Sequence, residues 1–287
     1  MQSNTLRLLM PQWQGGNNPP YSFGAKLLRW LAPDPGDMPE IEVPVEPYGG
    51  KELPLEDGVR GRTVLMRQLH GCTNIINEYQ PDRIIMFGGD CLVSQAPFAY
   101  LNERYDGKLG VLWIDAHPDI STPEIHKHAH AMVLGNLLSG GDPGFAAQVK
   151  RPLYPGRVIY AGLQKPGIRE QAEMNNLGLT QVVDPKEAER TSKTVLRFIE
   201  DHRIRQLAVH LDLDVLSPNW FRSLLPSEPI IKSFPSALGE MTLQGVRRLI
   251  QDVSRKTDVV GLTIAEHLPW DAINLHNFLG SLPIFEG

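Results

Sequence analysis

Cysteine is scarce in this chain. Its 287 residues include only Cys72 and Cys91, too few for a disulfide framework and in keeping with a reducing compartment. No apolar run approaches the roughly 18 residues of a membrane-spanning helix. The opening MQSNTLRLLMPQW lacks the charged start, apolar stretch and small-residue cleavage site of a signal peptide, so a cytoplasmic location is expected. Positive charge is not in excess: 28 Lys and Arg stand against 33 Asp and Glu, a net of -5. That leaves no basic footprint for nucleic acid and no polybasic patch for a membrane surface. Internal repeats and low-complexity tracts are missing too. What remains is an ordinary composition in a chain long enough to bury a large core.

Along the chain, short apolar runs alternate with amphipathic segments. Leu6 to Met10 reads as a first strand, and the loop QWQGGNNPPYSFG leads to a helix over Ala25 to Leu31. Residues 32–58 are rich in Pro, Gly and acids and read as a long irregular excursion. From Arg60 to Tyr79 the apolar residues Val64, Leu65, Leu69, Cys72 and Ile76 recur at helical spacing, which makes Cys72 a core residue. The strands RIIMF, VLWI, RVIYAGL, QLAVHLDLDV and VVGLTI follow. Helices are expected between them, one running unbroken from Lys186 to His202. Strands alternating with helices predict a parallel sheet covered on both faces. No composition shift marks a boundary, so a single domain over residues 1–287 is expected.

The polar residues gather after the strands. RIIMF is followed by Gly88-Gly89-Asp90-Cys91, VLWI by Asp115-Ala116-His117-Pro118-Asp119, and VVGLTI by Ala265-Glu266. QLAVHLDLDV carries Asp212 and Asp214 near its end, and strand alternation puts them on one face with His210. In an open parallel sheet these carboxyl ends form one edge, where ligands bind. Any one such Asp is as well explained as a turn former or helix cap. Converging carboxylates, however, cannot all stay ionised without cations, and no Lys or Arg lies beside them. Two divalent ions would balance the charge, and oxygen-rich ligation with a histidine suits manganese.

These residues resemble the motifs of the ureohydrolase family, which includes arginases, agmatinases, guanidinobutyrases and formimidoylglutamases. GGDC is similar to the family's GGDH, DAHPD to its DAHxD, HLDLDVLSP to its S-F-D-x-D-x-x-D-P, and TIAEHLP to its segment ending E-x-x-P. The resemblance implies a three-layer α/β/α sandwich with a mostly parallel central sheet, a homo-oligomer, and two Mn2+ per chain. Asp115 and Asp212 would bridge the ions, His117 and Asp214 complete one site, and Asp119 and the residue at 91 serve the other. His130 would shuttle protons, and Glu266 would pair with a small guanidino substrate. The implied reaction is hydrolysis of a guanidino C–N bond by a metal-bridging hydroxide, with Asp119 moving the proton and urea released.

Three departures qualify the resemblance. Cys91 stands where the family has histidine. It is expected either to bind as a thiolate that favours zinc or iron, or to stay a thiol beside a weakened site, or to mark a catalytically silent relative. The retained Asp119, His130 and Glu266 argue against the last. A deacetylase of similar fold ranks lower, because His126, His128 and His130 alternate with no adjacent pair. Next, the segment QKPGIRE brings Lys165 and Arg169 where arginases carry acids. That argues against L-arginine and for a guanidino compound with a carboxylate tail. Finally, the loop after the first strand either offers Trp13, Asn17, Asn18 and Tyr21 to the pocket or only caps the next helix, and Ser121 remains of a polar substrate-binding run.

Overall fold

A computed structural model describes residues 4–230, 234, 236–282 and 284. The central sheet takes β1 (Thr5–Met10), β2 (Glu40–Glu42), β5 (Arg83–Gly88), β6 (Gly110–Ile114), β7 (Val158–Ala161), β8 (Val182–Val183), β9 (Gln206–Asp212) and β10 (Asp258–Ala265). A separate hairpin joins β3 (Leu55–Glu56) to β4 (Val59–Arg60). The eight sheet strands lie in the order β2-β1-β5-β10-β9-β6-β7-β8, and every pairing is parallel.

Side-chain alternation divides the core into two layers. Val111, Trp113 and Tyr160 pack on one face with α2 (Arg62–Tyr79), α3 (Gln95–Arg104) and α4 (Val133–Leu137). Cys72 lies in that layer, fully buried. Leu112, Ile114, Val209 and Leu211 pack on the other face with α8 (Lys193–Asp201) and α9 (Leu243–Lys256). On that same side α1 (Pro20–Leu31) covers Leu9 and Phe87. The arrangement is the α/β/α sandwich expected.

Several boundaries differ from the sequence reading. Helix α1 begins at Pro20 rather than Ala25, since Pro is well placed in a first turn. The expected helix over 186–202 is two, α7 (Pro185–Arg190) and α8, broken where Thr191 is extended. There Ser192 Oγ bonds Asp252 instead of serving a helix interior. Residues 32–58 are not irregular throughout: β2 pairs with β1, the buried Arg7 meets Glu40 at 2.9 Å, and Val43 is fully buried. The hairpin turn Asp57-Gly58 has positive φ at both positions, the mirror-image turn that suits twisted strands. Strand β9 stops at Asp212, whose carboxylate accepts the Asp214 N–H at 2.7 Å and turns the chain into a short helical turn, Leu213–Val215. Asp214 therefore does not continue the strand's alternation.

Candidate metal and active site

Four neighbouring strands, β5, β10, β9 and β6, carry the acids, thiol and imidazoles to one edge of the sheet. After β5 the chain passes so close to the first loop that a Cβ on Gly89 would sit 1.8 Å from the Gln12 carbonyl oxygen. Asp90 then accepts N–H bonds from Gly15 at 2.8 Å and Leu92 at 3.0 Å, fixing the turn that presents Cys91. Burial raises the Asp90 pKa to about 7. After β6 the His117 N–H donates to Asp115 Oδ1 at 2.6 Å, and Trp113 Nε1 donates to Asp115 Oδ2 at 3.0 Å. Asp119 follows with φ 50°, and after β10 Glu266 has φ 64°. Both are carboxylate residues held in the left-handed region, where non-glycine residues are uncommon and tend to mark function.

The side chains converge. Cys91 Sγ donates to Asp212 Oδ2 at 2.8 Å and lies 3.5 Å from Glu266 Oε1. His117 Nδ1 meets Asp214 Oδ2 at 2.8 Å. His130 Nδ1 lies 2.7 Å from Glu266 Oε1, while Tyr21 donates its phenol to Glu266 Oε2 at 2.6 Å. A cavity of about 350 Å³ opens onto Tyr21, Cys91, His117, Asp119, His130 and Glu266, and onto Asp212 and Asp214.

Electrostatics is dominated by burial and like charge. Burial first, then Asp119, Asp212 and Asp214, raises the Asp115 pKa well above the carboxylate range. Burial and Asp214 do the same to Asp212, and burial brings Asp119 to about 7. Burial, then Asp212, holds the Cys91 thiol far above its ordinary pKa. Burial disfavours a charged His117, but Asp214 outweighs it and raises the pKa to about 10. His130 is likewise lifted to about 9 by its bond to Glu266. A carboxylate cluster that would rather be neutral stands ready for a cation.

Whether the residues fit metal ions can be tested from their unused atoms. His117 Nε2, Asp119 Oδ2 and His210 Nε2 are buried with no hydrogen-bond partner among the described residues, an arrangement that costs stability unless something is bound there. Ligand atoms of Asp115, His117 and Asp214 lie within 4.8 Å of one another, as do those of Cys91, Asp115, Asp119 and His210. The two groups share Asp115, and both donor sets fit a divalent ion. Ligand atoms of Asp212, Asp214 and Glu266 form a further group beside these two.

Of the other residues singled out in the sequence, His126 and His128 line the cavity beside His130, and Asn17, Asn18 and Ser121 do not. Trp13 is buried with its indole N–H on the Glu46 carbonyl at 2.9 Å. The expectation for QKPGIRE needs correction. Lys165 faces a separate cleft, and that segment gives the cavity Glu170, because α6 (Ile168–Leu177) turns it inward one residue after Arg169. Sequence reading also missed Leu225, Phe234 and Ala237 on the cavity wall. They lie well beyond the end of β9 in the sequence, where no apolar periodicity signals a shared site.

Residues 34–270 match the Arginase family, and the chain belongs to that family, whose members are hydrolases acting on amidino groups. Arginase 2 of Arabidopsis thaliana is 23% identical over 265 residues, covering 90% of this chain and 65% of the relative. The chain thus spans just under two thirds of the length of this plant relative. Arginase of Bacillus caldovelox is 28% identical over 156 residues, 47% of each chain. Solved structures agree on the fold. Native Bacillus caldovelox arginase superposes with TM-score 0.78 at 17% identity, covering 93% of this chain and 92% of that one. Proclavaminate amidino hydrolase from Streptomyces clavuligerus gives 0.65 at 16% identity, covering 93% and 84%. The family is binuclear and manganese-dependent and acts on small guanidino substrates. Among the described residues, no helix is long and apolar enough to cross a membrane.

Proposed function

We propose that this chain, acting as one domain, is a metal-dependent hydrolase that cleaves a guanidino C–N bond and releases urea. The observation that carries the reading is the meeting of Cys91, His117, Asp119, Asp212, Asp214 and Glu266 around one cavity, with ligand atoms of the buried Asp115 within 4.8 Å of those of Cys91, His117, Asp119 and Asp214. Divalent ions held by these residues would neutralise the carboxylates and acidify a water. Asp119, on the cavity wall, would take that proton and return it to the departing amine. Glu266, anchored by Tyr21 and His130, keeps lone pairs for a guanidinium ion, a charge-assisted bond. His130 opens on the cavity and can pass protons outward.

The cavity wall also bears on the substrate. Glu170 and the histidines 126 and 128 line it. That favours a guanidino compound whose far end is neutral or cationic over one ending in a carboxylate. The test is urea release from a panel of guanidino compounds with amine, neutral and carboxylate tails. Turnover fastest on the amine or neutral tails supports the reading. Urea from none of them, with metal bound, would point to a silent relative.

A further inference from the structure

His210 is a further departure from the family pattern, at the position where the S-F-D stretch has serine. It lies on β9 two residues before Asp212 and is fully buried. Its ring is held on three sides. It stacks on Trp113, with centroids 3.8 Å apart and planes 17° from parallel. Nδ1 meets Ser94 Oγ at 2.8 Å and Thr263 Oγ1 at 3.1 Å, and those two hydroxyls are 2.8 Å apart. The other nitrogen, Nε2, is buried and has no hydrogen-bond partner among the described residues. It lies 3.6 Å from Asp115 Oδ2, beyond a hydrogen bond, and within 4.8 Å of ligand atoms of Cys91 and Asp119.

This is how a metal-binding imidazole is held. When Nδ1 donates to an oxygen, the lone pair is fixed on Nε2 and the ring's direction is set. We propose that His210 Nε2 is a metal ligand, and that the imidazole missing at position 91 is supplied from β9, making a Cys91, Asp115, Asp119 and His210 site. Two departures that look unrelated in sequence become one exchange, in which histidine leaves one wall of the site and enters another. Cys91 then contributes sulfur, and a sulfur, nitrogen and oxygen set favours zinc or iron over manganese. The inference rests on the reading that the cleft binds metal, but not on the substrate.

The test is a crystal structure of the full chain loaded with one equivalent of zinc, with an anomalous map at the zinc edge. Expected is a peak about 2.0–2.1 Å from His210 Nε2 and about 2.3 Å from Cys91 Sγ. A peak on Asp115, His117 and Asp214 alone would overturn this inference and leave the metal reading intact. No zinc anywhere in the cleft would overturn both. Competition with a chelator adds a second readout. His210→Ser is expected to weaken zinc by more than the roughly 10–100-fold typical of a residue that only orients a ligand. The double change Cys91→His with His210→Ser restores the family pattern and is expected to recover divalent-ion binding, with manganese now favoured. Unchanged zinc affinity in folded His210→Ser would contradict the proposal.

Discussion

The thiol of Cys91 donates to Asp212 Oδ2 at 2.8 Å, linking the end of β5 to the end of β9 across β10. A neutral donor thus satisfies a carboxylate that like charge and burial already push towards protonation. A bound cation would remove the reason for that bond, and loss of the thiol proton would turn Cys91 from donor to ligand. Cys91→Ser keeps a donor but loses the soft sulfur. Zinc affinity is expected to fall at least about 10-fold while manganese changes little, given the ligand preferences of the two ions. Titration of each ion against the native protein and the variant checks this, and equal losses for both would contradict it.

Trp113 Nε1 donates to Asp115 Oδ2 at 3.0 Å, and its ring carries His210. Trp113→Phe retains an aromatic ring beneath the imidazole and removes the donor. Metal affinity is expected to fall about 10–100-fold, as for other partners of ligating groups. Chelator competition measures it.

Glu266→Gln removes the negative charge offered to a guanidinium. Hydrogen bonds to charged groups contribute about 1.5–3 kcal/mol, so kcat/KM on a guanidino substrate is expected to drop about 10–100-fold. Steady-state urea release at saturating metal, with metal content measured alongside, separates loss of substrate binding from loss of ions.

Much of this site was legible in the sequence, for physical reasons. A buried parallel strand is a short apolar run, so GVLWI announces β6, and whatever polar group follows must stand at the sheet's edge. Cys91, Asp115, His117, Asp119, Asp212 and Glu266 were found that way. Asp214 was also identified, but by alternation that ends at Asp212, because the turn depends on a side-chain bond. Edge strands β2 and β8, of three and two residues, carry too little pattern to read. The sequence points to Lys165 and Arg169 where Glu170 lines the cavity, because helical phase decides which neighbour faces inward. His210 looked like a polar companion of the acids. Its free Nε2 depends on Ser94 and Thr263, on two other segments of the chain.

In the metal-free protein, pH should act through His117 and His130. Their folded pKa values, about 10 and about 9, lie above the ordinary 6.5. Stability from holding those protons is full below about 6.5 and is lost as pH rises through 9 and 10. Thermal unfolding of chelator-treated protein is therefore expected at lower temperature at pH 9 than at pH 7. Added metal, which binds deprotonated ligands, should shrink or reverse the difference. A metal-free Tm that rises over this interval would be the opposite result.

Gly89 touches the Gln12 carbonyl so closely that a methyl group has no room. Gly89→Ala is expected to destabilise the fold by about 2 kcal/mol or more, near the upper part of the range for overpacked sites. Denaturant midpoints of the two proteins report it, and an unchanged midpoint would mean that the loop can yield.

The most direct measurement is the number of divalent ions held per chain, by mass spectrometry, after purification without chelator and again for Asp115→Ala. Asp115 belongs to both ligand groups. The account predicts at least one ion per chain in the native protein and near-complete loss in the variant, whose folding is confirmed by circular dichroism. A native protein that holds no ion, or a folded variant that keeps the native number, would contradict a metal-dependent site in this cleft.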